Sequence, residues 1–224
     1  MLYQASWYTV GPMLRLGFRL RIDGKEHIPK EGPAILASNH LSFLDHLLLP
    51  MATRRQVFFI SKVQHFDHAF RRWFFRRIGV LPLRRGEGDT EAIERATQAL
   101  EEGNLFCIYP EGTRSLDGKL HKGHTGVARL AYRTGAPVVP VAMFGTFSAM
   151  PKGRSLPRLK KCGIRVGEAI PFEKDEAKAR DRALCRQRTD EIMRAIAAAS
   201  GQEYVDEYQF NPEIKTHKGA EAAS

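Results

Sequence analysis

The chain has 224 residues, enough for one domain with a substantial core and too few for two of full size. With 43% hydrophobic and 27% charged residues it has the composition of an ordinary folded domain, which excludes a disordered chain. Its formal net charge of +10 is concentrated: nine Lys or Arg and one Asp lie between Arg54 and Arg85, a local excess of +8. Such a field attracts polyanions, whether nucleic acid, anionic lipid or phosphorylated substrate.

Three cysteines (Cys107, Cys162, Cys185) are too few and scattered for a disulfide framework or zinc site, and fit a reducing, cytoplasmic setting. No run reaches 18 uninterrupted apolar residues, so no ordinary membrane span is expected, nor is the N-terminus patterned as a signal peptide.

Taken in order, the first element is a helix in which Trp7, Val10, Gly11, Leu14 and Phe18 share one face beside Arg15 and Arg19. That pattern fits an interfacial helix lying on a membrane; the alternative is a helix that packs on the domain. Short apolar runs then alternate with helical patterns, as in an α/β domain. Strands are expected at residues 20–25, 34–38, 57–61, 80–83, 105–109, 138–143 and 164–166. Helices are expected at 42–52, 66–77, 90–102, 125–134 and 176–199, with Gly103, Gly135 and Gly201 as C-terminal stops for three of them. In the 66–77 helix an apolar stripe (Phe66, Ala69, Phe70, Trp73, Phe74) is flanked by arginines. This suits either an anionic bilayer or a core-facing helix with a solvated basic face. The organisation expected is an N-terminal membrane-associating helix over 1–19, an α/β domain over 20–201 and a C-terminal tail over 202–224.

Two segments carry candidate chemistry. The first, Asn39-His40-Leu41-Ser42-Phe43-Leu44-Asp45, follows the 34–38 strand, and open α/β sheets bind ligands beyond the carboxyl ends of strands. Ser42 and Asp45 also have the spacing of a capping box, a role compatible with Asp45 orienting His40. A carboxylate that fixes the imidazole tautomer makes His40 a general base. No Ser or Cys nucleophile is obviously placed beside it, so a substrate hydroxyl is the natural group to be deprotonated. The second, Tyr109-Pro110-Glu111-Gly112-Thr113-Arg114-Ser115, follows the 105–109 strand. Pro and Gly force a turn, Gly112 admits a ligand to the backbone, and Arg114 offers a planar fork suited to phosphate.

These segments resemble the N-H-x-x-x-x-D and F-P-E-G-T-R-S blocks of the 1-acylglycerol-3-phosphate acyltransferases, within the wider glycerolipid acyltransferase superfamily; Tyr109 replaces Phe. Ser61-Lys62, Gly79-Val80-Leu81-Pro82-Leu83-Arg84-Arg85 and Val139-Pro140-Val141 resemble further family blocks, in order, between about residues 24 and 170. The resemblance implies a single layered α/β domain with a mostly parallel or mixed sheet of about seven strands flanked by helices. It implies His40 as base, Asp45 as its orienting partner, and Lys62, Arg85 and Arg114 as ligands of an acceptor phosphate. Glu111 would hold the loop or the glycerol hydroxyls, backbone amides near Gly112 would meet the oxyanion, and Gly112 and Thr113 would line the substrate.

The implied reaction moves a fatty acyl group from acyl-CoA or acyl carrier protein to 1-acylglycerol-3-phosphate, giving phosphatidic acid in phospholipid biosynthesis, with no cofactor and no metal. The implied setting is the cytoplasmic face of the cell membrane, peripheral or monotopic, as a monomer or weak dimer on an anionic surface. Arg84 departs from the family's Asp and makes the acceptor pocket more cationic. Other acceptors (glycerol-3-phosphate, another lysophospholipid, a glycolipid) and an inactive membrane-binding relative are the alternatives. Nucleic-acid binding gives no reason for His40 and Asp45 to sit at a strand end. A serine hydrolase is disfavoured because no G-x-S-x-G elbow is present.

Overall fold

The computed structural model describes residues 2–62, 79–83 and 89–209. Its strands are β1 (Arg21–Asp23), β2 (Ala34–Ser38), β3 (Val57–Lys62), β4 (Val80–Leu83), β5 (Leu105–Ile108), β6 (Leu120–His121), β7 (Val138–Phe144), β8 (Gly163–Val166) and β9 (Tyr204–Val205). Seven of them form one sheet in the order β1-β8-β7-β2-β5-β3-β4, while β6 and β9 pair as a separate two-stranded ribbon. Every ladder of the large sheet is parallel except β7–β8. The mixed sheet of seven strands inferred from the sequence is therefore the one observed.

β2 is buried at all five positions, as a central strand covered on both faces must be. Its side chains alternate between two cores. Ala34 and Leu36 face Phe18, Leu44, Leu48 and Phe59. Ile35 and Ala37 face Leu100, Leu130, Ile192 and Met193, from helices Asp89–Glu101, Gly126–Thr134 and Arg182–Ser200. In register, Ala37 lies opposite Ile108 of β5 and Ser38 opposite Val141 of β7. The carboxyl ends of β2 and β5 thus finish side by side, and both candidate segments leave the sheet at that edge.

Two expected helices differ in detail. The 42–52 helix is a short α-helix, Asp45–Leu48, followed by a 3-10 turn, Leu49–Ala52. Pro50 has no N–H to donate and cannot continue the α-helical ladder. The 176–199 helix is two, Glu176–Arg180 and Arg182–Ser200, because Asp181 is extended (φ −72°, ψ 106°) and its carboxylate accepts the Leu184 N–H. The expected helix at 66–77 lies outside the described residues.

The N-terminal helix α1 (Leu2–Gly17) contains the stripe read as membrane-facing, but most of that stripe is turned inward. Gly11 is buried, Phe18 is 4% exposed and Leu14 packs on the core. Trp7 lies beneath the Arg15 and Arg54 guanidiniums at 4.7 and 5.7 Å. Of that stripe only Val10 is strongly exposed, and it faces solvent together with Tyr8, Met13 and Leu16. No helix among the described residues is long and apolar enough to cross a membrane.

From Gln202 to Gln209, the last described residue, the chain stays on the domain. β9 pairs with β6, Gln202 Nε2 donates to Gly118 O (2.7 Å) and Gln209 Nε2 donates to Arg114 O (3.1 Å).

Candidate active site

His40 sits two residues past the end of β2, and its ring is held from two directions. Nδ1–H donates to Asp45 Oδ2 at 2.9 Å, which leaves Nε2 as the available ring nitrogen. The Tyr109 ring stacks on the imidazole with centroids 3.9 Å apart and planes within 15°. His46 meets both rings edge-on. The Tyr109 hydroxyl is buried, and burial first, then nearby Cys107 and Asp45, hold its ionisation well above the usual range. It serves as a neutral aromatic wall.

Asp45 is fully buried. Its Oδ2 accepts the Leu41 and Ser42 backbone N–H groups (2.7 and 2.8 Å) as well as the imidazole, so one oxygen fixes both the loop and the ring. The capping-box spacing is therefore half realised: the acid reaches back to the Ser42 N–H, as such a box requires. Ser42 Oγ instead accepts from Leu44 N (3.2 Å) and donates to Met150 O (2.6 Å).

The second segment closes on the same histidine. His40 N–H donates to Glu111 Oε2 (3.1 Å), and His40 O accepts from Ser115 N–H (2.7 Å), so the 111–115 turn grips both peptide groups of the histidine. Glu111 Oε1 accepts from His121 N–H (3.0 Å), tying β6 to the same point. Both Glu111 oxygens thus bond backbone of the loop and its neighbours. Burial pushes its carboxyl up to about 7, against the backbone donors His121 and His40 that pull it down. Asn39 completes the frame by bonding Met143 of β7 in both directions (2.7 and 3.1 Å) and Gln202 Oε1 (2.6 Å). Asn39 and Ser115 belong to the motifs but had no role assigned from sequence. Gln202 carried no signal at all.

That buried carboxyl gives a pH-dependent prediction. A folded-state value near 7, above the ordinary 4.5, means the native chain holds this proton where the unfolded chain has released it. Stability from this group is present below about 4.5 and is lost as pH rises through about 7. Replacing Glu111 with Gln is expected to flatten this part of the pH profile. Wild type should lose on the order of 1–3 kcal/mol relative to the variant across that window. Thermal melts of both proteins from pH 4.5 to 8 check it; a wild type that gains on the variant with rising pH would reverse the assignment.

The remaining expected ligands divide. Arg114 is half-buried, and no hydrogen bond or ion pair joins its guanidinium to a described residue. Thr113 is half-buried beside it and Gly112 is exposed. Gly112 has φ +69°, and a Cβ there would lie 3.2 Å from His124 Cδ2, so both conformation and space favour glycine. Gly112 N–H is committed to Tyr109 O (3.0 Å), whereas the Thr113 and Arg114 N–H groups bond no described residue. Lys62 closes β3, but its side chain, and Arg84 and Arg85 entirely, lie outside the described residues.

No Ser or Cys side chain among the described residues bonds His40. Burial pushes the Cys107 thiol strongly up and Cys162 up to about 11, away from the thiolate form a nucleophile needs. No group of His, Cys, Asp or Glu among the described residues is arranged to hold a metal ion.

A His–Asp pair at a strand end, with no Ser or Cys nucleophile bonded to it among the described residues but beside a turn presenting Arg and uncommitted amides, is equipped to activate a hydroxyl carried by a substrate. The family model for Acyltransferase matches residues 19–144, more than half of the chain, and the protein belongs to that family. Over 139 residues it is 35% identical to a chloroplastic 1-acyl-sn-glycerol-3-phosphate acyltransferase of Arabidopsis thaliana, covering 61% of this chain and 39% of that protein. Over 138 residues it is 30% identical to the lyso-ornithine lipid O-acyltransferase of Pseudomonas aeruginosa, covering 61% of this chain and 52% of that one. The chain thus spans about two fifths to one half of these curated relatives. The crystal structure of the 1-acyl-sn-glycerophosphate (LPA) acyltransferase of Thermotoga maritima superposes with TM-score 0.67 at 27% identity, covering 87% of this chain and 80% of that one.

Proposed function

We propose that the protein transfers a fatty acyl group from a thioester, acyl-CoA or acyl carrier protein, to the free hydroxyl of 1-acylglycerol-3-phosphate. The product is phosphatidic acid, made at the surface of an anionic membrane on its cytoplasmic side. The observation that carries this reading is the buried His40 Nδ1–Asp45 contact of 2.9 Å with Nε2 left for a substrate.

Nε2 takes the acceptor hydroxyl's proton as its oxygen attacks the thioester carbonyl carbon. The tetrahedral oxyanion is met by the uncommitted Thr113 and Arg114 amides. It collapses with cleavage of the C–S bond, and the departing thiolate, from a thiol of pKa about 8.5, needs little acid help. Arg114 binds the acceptor phosphate through its fork, assisted by Lys62 and Arg85 as the family resemblance implies. The reaction as written needs no metal or cofactor.

The test is thiol release from palmitoyl-CoA with and without 1-acylglycerol-3-phosphate, in wild type and Arg114→Ala. Release should require the acceptor. The variant should raise its KM by roughly 10- to 100-fold, the worth of a charge-assisted hydrogen bond, with a smaller change in kcat. A non-phosphorylated lysolipid used equally well, with equal losses in the variant, would move the acceptor to another lysolipid, the kind named for the Pseudomonas relative.

A further inference from the structure

The segment from Pro151 to Cys162, which joins helix Thr146–Ala149 to β8, is unlike the rest of the surface. It carries five cations, Lys152, Arg154, Arg158, Lys160 and Lys161, and no carboxylate. It also exposes two leucines, Leu156 at 74% and Leu159 at 75%. An exposed leucine alone means little. Here the two continue an apolar stripe on another element. Leu159 Cδ2 lies 3.5 Å from where a Gly17 Cβ would stand, at the end of α1. On α1, Val10, Met13 (73% exposed) and Leu16 (82%) follow at spacings of three along the outer face.

The two elements are also fastened together, since Cys162 N–H donates to Phe18 O and Arg21 N–H donates to Cys162 O. Arg158, Lys160 and Lys161 form no side-chain hydrogen bond or ion pair with any described residue. Apolar side chains rimmed by these three cations match a bilayer bearing anionic headgroups: leucines enter the acyl boundary and the cations meet phosphates.

We infer that the 151–161 loop and the outer face of α1 form one docking surface for an anionic lipid bilayer. The inference goes beyond the helix alone and rests on the acyl-transfer reading only for its purpose. The loop begins at Met150, whose carbonyl accepts the Ser42 Oγ–H beside His40, so docking brings the lipid surface to the element that frames the base.

The test is flotation of the full chain with phosphatidylcholine vesicles and with vesicles also containing phosphatidylglycerol. Wild type is compared with Leu156→Ser/Leu159→Ser and with Lys160→Glu/Lys161→Glu. Each pair should lower partitioning onto anionic vesicles at least about tenfold. High salt should erase most of the charge-reversal effect and little of the leucine effect. Acyl transfer to acceptor presented in detergent micelles should stay within about twofold of wild type, which shows the variants to be folded. Partitioning equal to wild type in both variants overturns the inference. So does sedimentation showing that wild type is a lipid-free dimer through this face and that the leucine variant is monomeric. Lost flotation in the variants, with no transfer by any of the proteins, removes the acyl-transfer reading and leaves the docking surface standing.

Discussion

Replacing His40 by alanine lowers kcat for acyl transfer by roughly 10²- to 10⁴-fold, the usual worth of a positioned general base, while KM for both substrates moves little. The substitution is unusually clean because the backbone of residue 40, not its side chain, carries the long-range clamp. Glu111 Oε2 holds its N–H and Ser115 N–H holds its carbonyl, and alanine keeps both. What is lost is the ring with its Asp45 bond and its stack on Tyr109. Circular dichroism and thermal melting should therefore report a folded variant while thiol release from palmitoyl-CoA collapses. Partial recovery with added imidazole would mark the missing group as a proton acceptor. Equal activity in variant and wild type would remove His40 from the mechanism altogether.

How far a sequence reveals such a site depends on the distance over which each part is encoded. His40 and Asp45 lie five residues apart, so a strand end and one helical turn suffice to bring them together, and both were readable. The seven sheet strands were readable for a related reason: a short apolar run such as Ala34-Ile35-Leu36-Ala37, set off by Gly32-Pro33, suits a buried strand. The Glu111–His40 bond spans 71 residues, and the Asn39–Gln202 bond 163. The first exists because β2 and β5 are neighbours and the second because helix Arg182–Ser200 packs along β7 and β2, and neither arrangement is written in any local pattern.

Two other departures had local causes that the broader periodicity masked. Pro50 should have ended the helix after Asp45, and Asp181 offered an N-cap inside a charged run that otherwise reads as one helix. The α1 stripe left two readings open for a different reason. The helix has two apolar faces, and only packing decides which one the domain takes: Gly11 fits against Met51, whose Sδ lies 3.1 Å from where a Cβ would be.

Asp45→Asn is expected to lower kcat by about 10²-fold or more, approaching the loss expected for the histidine itself, although the two side chains are nearly the same size. The amide oxygen can take the place of Oδ2 and still receive the Leu41 and Ser42 N–H groups, so the loop geometry largely survives. Two things change. The positive imidazolium formed in the transition state no longer faces a negative charge across 2.9 Å of buried space. The amide NH2 also takes the position of Oδ1, which is buried with no hydrogen-bond partner among the described residues; an unpaired donor there costs about 1–3 kcal/mol. The amide can relieve that cost by flipping, but it then presents NH2 to Leu41, Ser42 and the imidazole. That orientation pits donor against donor at the backbone and invites the wrong histidine tautomer. Stability and activity are thus set against each other in this variant, which makes the pair of readouts decisive. If kcat falls with a melting temperature within a few degrees of wild type, Asp45 acts on the charge and tautomer of His40. If kcat falls only in proportion to lost folded protein, Asp45 is a loop brace and the charge argument fails.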